Sequence, residues 1–233
     1  MIQEDQRSEK SNHLKAITPV KSFGLKPRGD TVINLYDIPM CVERATVFES
    51  WLQKEERDGL GFYITGPAGS GKTTLAIALA NQWNIGRQLE RLHRIESASQ
   101  DDQIRYYGPE VASGKVNFYD NVVPIDWYTL TSAYKVFSDK RTQAQLSLTN
   151  ACETVNGRLI WILDDFAGGH MPEYVQDATE TFIRNLYNES ARVIITSNIP
   201  LDETGRIWND QIRSRLTEMC VQVNLTGKDR RGK

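Results

Sequence analysis

An α/β fold, with a parallel sheet lying between layers of helices, is the architecture this sequence predicts. Three observations predict it. Short, almost wholly apolar runs (GFYIT at 61–65, RLIWIL at 158–163 and RVIIT at 192–196) read as strands buried on both faces. Stretches with helical apolar spacing separate them, and that alternation is the signature of parallel strands joined by crossover helices. Each apolar run also ends in small or polar residues, which places functional side chains at the carboxyl ends of the strands.

Composition frames the reading. The 233 residues are enough to bury a substantial core, and one main domain is expected. With 39% hydrophobic and 25% charged residues the chain has the balance of a globular protein. A formal net charge of -2 supplies no overall positive field for nucleic acid or anionic lipid, leaving only local basic patches for such contacts. Cys41, Cys152 and Cys220 are far apart, which excludes a disulfide framework or zinc ribbon. The start MIQEDQRSEK has no apolar signal-like core, and no run of about 18 apolar residues occurs, so a cytoplasmic protein without a membrane partner is expected.

Along the chain, residues 1–30 are polar, contain Pro19, Pro27 and Gly29, and read as a flexible or partner-binding arm before a domain spanning 31–233. Val42, Ala45, Val47, Phe48, Trp51 and Leu52 predict a helix over 42–54. The strand at 61–65 is followed by a glycine-rich loop and a helix over 73–83. Residues 87–121 are polar and read as a surface loop, long enough to be an insertion. Arg105, Tyr106 and Tyr107 within it offer a nucleic-acid contact as the alternative. VVPIDWYTL, 122–130, holds a second strand leading into a helix through Phe137. The strand at 158–163, a helix over 178–187 and the strand at 192–196 complete the core.

The loop GPAGSGKTT, made of Gly66, Pro67, Ala68, Gly69, Ser70, Gly71, Lys72, Thr73 and Thr74, satisfies the phosphate-loop pattern between strand and helix. Its glycines let backbone N–H groups close around phosphate oxygens, and the following helix aims its positive end at the same charge. Lys72 is expected to reach the β- and γ-phosphates, and Thr73 to ligate Mg2+. RLIWILDDF sets Asp164 and Asp165 at a strand end, in the manner of a Walker B site. Asp164 would serve the Mg2+ and Asp165 would polarise the attacking water, whereas two acids that merely cap a turn are the plainer reading. RVIITSN ends in Thr196, Ser197 and Asn198, of which Asn198 is the choice for holding the lytic water. Ser and Asn also begin ordinary turns. QIRSRLTE contributes Arg213 and Arg215, either arginine fingers or exposed helix residues, and GKDRRGK reads equally as a solvated terminus, a nucleic-acid contact or a nucleotide sensor. His13, His93 and His170 have no metal-ligand spacing. His170, after Gly168 and Gly169, is the one whose place near the acids invites a nucleotide-reporting role.

In this order GPAGSGKTT, LDDF, IITSN, SRL and GKDRR resemble the AAA+ ATPases of the IstB/DnaC-like group, which holds helicase loaders and transposition ATPases; the likeness covers the chain from about Phe62 onward. The resemblance implies a three-layer αβα P-loop NTPase with sheet order 5-1-4-3-2, and ATP with Mg2+ held between head-to-tail protomers of a homo-oligomer. It matches Asn198 to sensor 1, Arg215 to the arginine finger and Arg231, with Arg230 as its alternative, to the sensor 2 arginine. The implied activity is ATP hydrolysis, and the implied partners are DNA, single-stranded by preference, and a replicative helicase or else a transposase. A nucleotide-gated clamp that hardly hydrolyses is the reading from a different class. Members of the group usually carry a larger amino-terminal part than the segment preceding Gly66 here.

Overall fold

The computed structural model describes residues 42–53, 61–107, 122–127, 159–166 and 173–226. Among them the chain runs α1 (Val42–Gln53), β1 (Gly61–Thr65), α2 (Lys72–Ser97), α3 (Gln100–Tyr107), β2 (Val122–Asp126), β3 (Ile160–Asp164), α4 (Glu173–Asn188) and β4 (Arg192–Ser197). A 3-10 turn (Leu201–Glu203), α5 (Thr204–Ile207), α6 (Asp210–Met219) and β5 (Cys220–Asn224) follow. The boundary expected at residue 30 and the helix expected through Phe137 fall outside the described residues.

Five parallel strands lie in the order β2-β3-β4-β1-β5, which read from the other edge is the expected 5-1-4-3-2. Burial follows position. The central strands β1 and β4 are buried at every residue and β3 at all but its last, as their unbroken apolar sequences require. Pro124, which cannot donate to a ladder, sits in the edge strand β2, where a missing donor is tolerated.

Alternate side chains of the central strands feed two separate cores. Phe62, Ile64, Ile160, Ile162 and Ile194 pack against Phe48 and Trp51 of α1 and Leu75, Leu79 and Trp83 of α2. Tyr63, Trp161, Leu163, Val193 and Ile195 face the other way, onto Phe182 and Leu186 of α4 and Ile212 and Leu216 of α6. This is the three-layer arrangement. Arg192, buried at the start of β4, donates to the Trp51 carbonyl at 2.9 Å and lies 5.2 Å from the Trp51 ring centroid, tying α1 to the sheet.

Two expectations need correction. The helix expected to end at Trp83 continues to Ser97, and a second helix occupies 100–107, so the first part of the segment read as a surface loop is helical. No Gly or Pro interrupts 87–107, and Gln88, Leu92 and Ile95 recur at helical spacing as a buried stripe that the surrounding charges disguise. Ser99 caps α3, accepting from the Asp102 N–H at 3.2 Å, and the Gln103 amide donates back to the Ile95 carbonyl at 2.8 Å. The second correction is β5. The resemblance implies a fifth strand without placing it, and CVQVN forms it with only Cys220 and Val223 buried.

Candidate nucleotide site

The site lies where β1, β3 and β4 end together. Between β1 and α2 the chain passes through positive φ at Gly66 (150°), Gly69 (75°) and Gly71 (97°), backbone geometry that L side chains rarely adopt. At Gly66 a Cβ would also stand 2.4 Å from the Leu225 carbonyl oxygen, so the chain beyond β5 leaves no room there. Pro67 and Ala68 are exposed at the lip, Ser70 and Lys72 are buried, and Thr74 is half-buried.

Lys72 is the first residue of α2, and its ammonium is fully engaged: it donates to the carbonyls of Gly66 and Pro67, each at 2.9 Å, and to Asn198 Oδ1 at 2.7 Å. Asn198 in turn donates from Nδ2 to Asp165 Oδ1 at 3.0 Å. One amide thus spans the phosphate loop and the acid after β3. A second bridge runs through Asp164, whose Oδ1 accepts from Thr73 at 2.8 Å and from Thr196 at 2.6 Å.

The turn carrying Asp165 is held from β4. Asp165 adopts φ 57°, a left-handed conformation that Asp tolerates better than most side chains. Its N–H donates to Thr196 Oγ1 at 2.9 Å, the Phe166 N–H donates to the Thr196 carbonyl at 2.8 Å, and Ser197 Oγ donates to the Phe166 carbonyl at 2.7 Å. Burial pushes the Asp164 carboxyl above the usual carboxylate range. The Thr196 and Thr73 hydroxyls oppose this, and the neighbouring Asp165 and Asp126 carboxylates add to it.

The residues fit a magnesium nucleotide. Ser70 Oγ is buried without a hydrogen-bond partner, and a Cβ placed at Gly71 would meet nothing within 4 Å, so the loop keeps open space. Thr73 and Asp164 present paired oxygens of the kind a hard divalent cation prefers.

Of the residues singled out from the sequence, Lys72, Thr73, Asp164, Asp165 and Asn198 are brought together. Arg215 is not part of that network. It lies on α6 and pairs with Glu180 of α4 at 3.8 Å, while Arg213 is more exposed and pairs with Asp210 at 3.0 Å. His93 faces solvent, and Arg230, Arg231 and His170 lie outside the described residues. The sequence reading passed over two contributors. Thr196, inside a motif already noted, bonds both Asp164 and the Asp165 backbone. Asp126 ends β2 in register with Asp164, and the parallel between VVPID and IWILD was the signal for it.

Comparison with known proteins locates this arrangement. No protein-family model matches the sequence, and no curated protein matches it. Among solved structures, the DnaC helicase loader superposes with a TM-score of 0.57 at 18% identity, covering 83% of this chain and 97% of that one. DnaI gives 0.58 at 16% identity, covering 83% and 90%. The replication initiator DnaA bound to AMPPCP and single-stranded DNA gives 0.55 at 14% identity, covering 87% of this chain and 52% of that one. Strand order, phosphate loop and these superpositions agree: the chain has the AAA+ type P-loop fold, as the resemblance to the IstB/DnaC-like group implied.

Proposed function

We propose that this protein is an ATP-dependent replication factor that loads or recruits a replicative helicase onto DNA, working as a homo-oligomeric ATPase with nucleotide at subunit interfaces. The observation that carries the ATPase reading is the Asn198 bridge, in which one side chain touches both Lys72 and Asp165. Near-complete coverage of the DnaC loader and most of DnaI supports the helicase assignment within the ATPases.

Bound ATP with Mg2+ supplies the scissile phosphate and the cation that neutralises its charge. The protein's residues do the rest. Lys72 exchanges the Gly66 and Pro67 carbonyls for phosphate oxygens, and the loop N–H groups with Ser70 surround the same charge. Thr73 of α2 and Asp164 of β3, which already bond each other, would hold the cation. Asp165 accepts a hydrogen bond from the attacking water, and Asn198 fixes its carboxylate from β4. Arg215 serves the site of the neighbouring subunit, and Arg231 senses the nucleotide from beyond β5, whose end already abuts the phosphate loop where the Leu225 N–H donates to the Thr65 carbonyl at 2.7 Å.

The test is capture of purified partners by the full chain with ATP, with ADP and without nucleotide. Retention of a replicative helicase that depends on ATP, with single-stranded DNA joining the complex, is the expected result. Retention of a transposase instead would move the protein to the transposition branch. Binding of neither would end both assignments while leaving the ATPase reading to turnover assays.

A further inference from the structure

We infer that Glu180 is a positioning residue for Arg215, setting the direction in which this chain offers its guanidinium to a neighbouring copy. The inference rests on the proposed trans role of Arg215 and deepens it.

Arg215 is poorly satisfied within its own chain. Its Nη1 is buried with no hydrogen-bond partner, and the nearest carboxylate oxygen, Glu180 Oε1, stands at 3.8 Å, close enough for charge attraction but too far for a hydrogen bond. At 23% exposure the side chain is neither a solvated surface arginine nor a buried one. Such a pairing holds the buried Nη1 edge by charge, and the exposure that remains belongs to the rest of the side chain.

Glu180 is itself oriented. Its Oε2 accepts from Asn209 Nδ2 at 2.9 Å, and the same Asn209 caps α6, with Oδ1 accepting from the Ile212 N–H at 2.8 Å. One asparagine therefore fixes both the helix bearing Arg215 and the carboxylate that attracts it. The residue before Asn209, Trp208, stacks on Phe166 with ring centroids 5.3 Å apart and planes at 27°, which anchors the start of α6 to the turn carrying Asp165. The other acid nearby, Glu218, accepts from the Tyr187 hydroxyl at 2.7 Å, so Glu180 is the carboxylate directed at Arg215.

Glu180→Gln keeps the size of the side chain and an oxygen for Asn209 but removes the charge that orients the guanidinium. The measurements are kcat and KM for ATP of the full chain, nucleotide affinity by a fluorescent ATP analogue, and Tm, for the wild type, Glu180→Gln, Arg215→Ala and the double variant. We expect Glu180→Gln to lower kcat about tenfold, because small misplacement of a catalytic group has effects of this order, with nucleotide affinity and Tm unchanged. In the Arg215→Ala background it is expected to cost nothing further, since a positioning residue has no effect once the group it positions is gone. An equal loss in both backgrounds, or a loss that tracks Tm, makes Glu180 structural and overturns the inference. Unchanged kcat in Glu180→Gln, with Arg215→Ala inactive, also overturns it while leaving the trans role intact. Full turnover by Arg215→Ala removes the trans role itself, and the inference with it.

Discussion

The phosphate end of the sheet and the Arg215 edge of α6 are built to opposite rules. At the phosphate end, polar groups from α2, β3, β4 and the turns after those two strands close on each other, with Lys72, Thr73, Asp164, Asp165, Thr196 and Asn198 in one hydrogen-bonded set. At the α6 edge, Arg215 meets a single carboxylate at ion-pair distance and leaves a buried donor without a hydrogen bond. Such a network holds its carboxylates and hydroxyls in place beforehand, and Lys72 has only to exchange two carbonyls for phosphate oxygens. On the proposed function, the open edge is the one that a second copy of the chain would use.

Substitutions sharpen that contrast. The largest effect is expected at the open edge: Arg215→Ala should reduce steady-state turnover on the order of 10³-fold, the low end for arginine fingers, with fluorescent-nucleotide affinity preserved. A parallel loss of affinity would place Arg215 in a binding role and blur the distinction. Asp165→Asn should lower turnover about 10²-fold or more while a filter-binding assay shows retained ATP, because the amide still pairs with Asn198 but activates water poorly. Lys72→Met removes a charge-assisted donor from the closed network. It should weaken nucleotide binding by about 2 kcal/mol, measured calorimetrically, and an unchanged affinity would sink the assignment of the loop.

The smallest effect concerns stability. Asp164 is held among two other carboxylates and largely away from water, an arrangement that favours function over folding. Asp164→Asn retains an acceptor for Thr73 and Thr196 without the charge. The variant should raise the Tm of the nucleotide-free protein, read by calorimetry at neutral pH. A lower Tm would mean that the two hydroxyl bonds outweigh burial and repulsion.

How much of this was legible in the sequence differs between the same two regions. The closed network was readable because its residues sit within short motifs at the ends of strongly apolar strands. GFYIT, IWILD and RVIITS could hardly be anything but buried strands, and their alternation with helices implied a parallel sheet, whose strand order came from the family resemblance. What failed was local and had physical causes. α2 beyond Trp83 presents one buried residue per turn among arginines and glutamates, which masks its period, and α3 has only one apolar side chain besides its tyrosines. β5 lies at an edge, so its pattern is weak. The Glu180–Asn209–Arg215 cluster was invisible because α4 and α6 bring it together across 35 residues, and none of the three stands in a recognisable motif with the others. Thr196 was named in its motif but not chosen, because the residue type alone does not separate it from Asn198 two positions on.

The claim that the phosphate site is completed by another copy of the chain is tested most directly by mixing two inactive variants. Lys72→Ala keeps Arg215 but lacks the ammonium that serves the phosphates of its own site, and Arg215→Ala keeps that ammonium but lacks the guanidinium. Titrating one against the other at constant total protein should restore turnover well above either alone, with a maximum at an intermediate ratio. Turnover that remains the weighted sum of the two variants at every ratio would contradict the account.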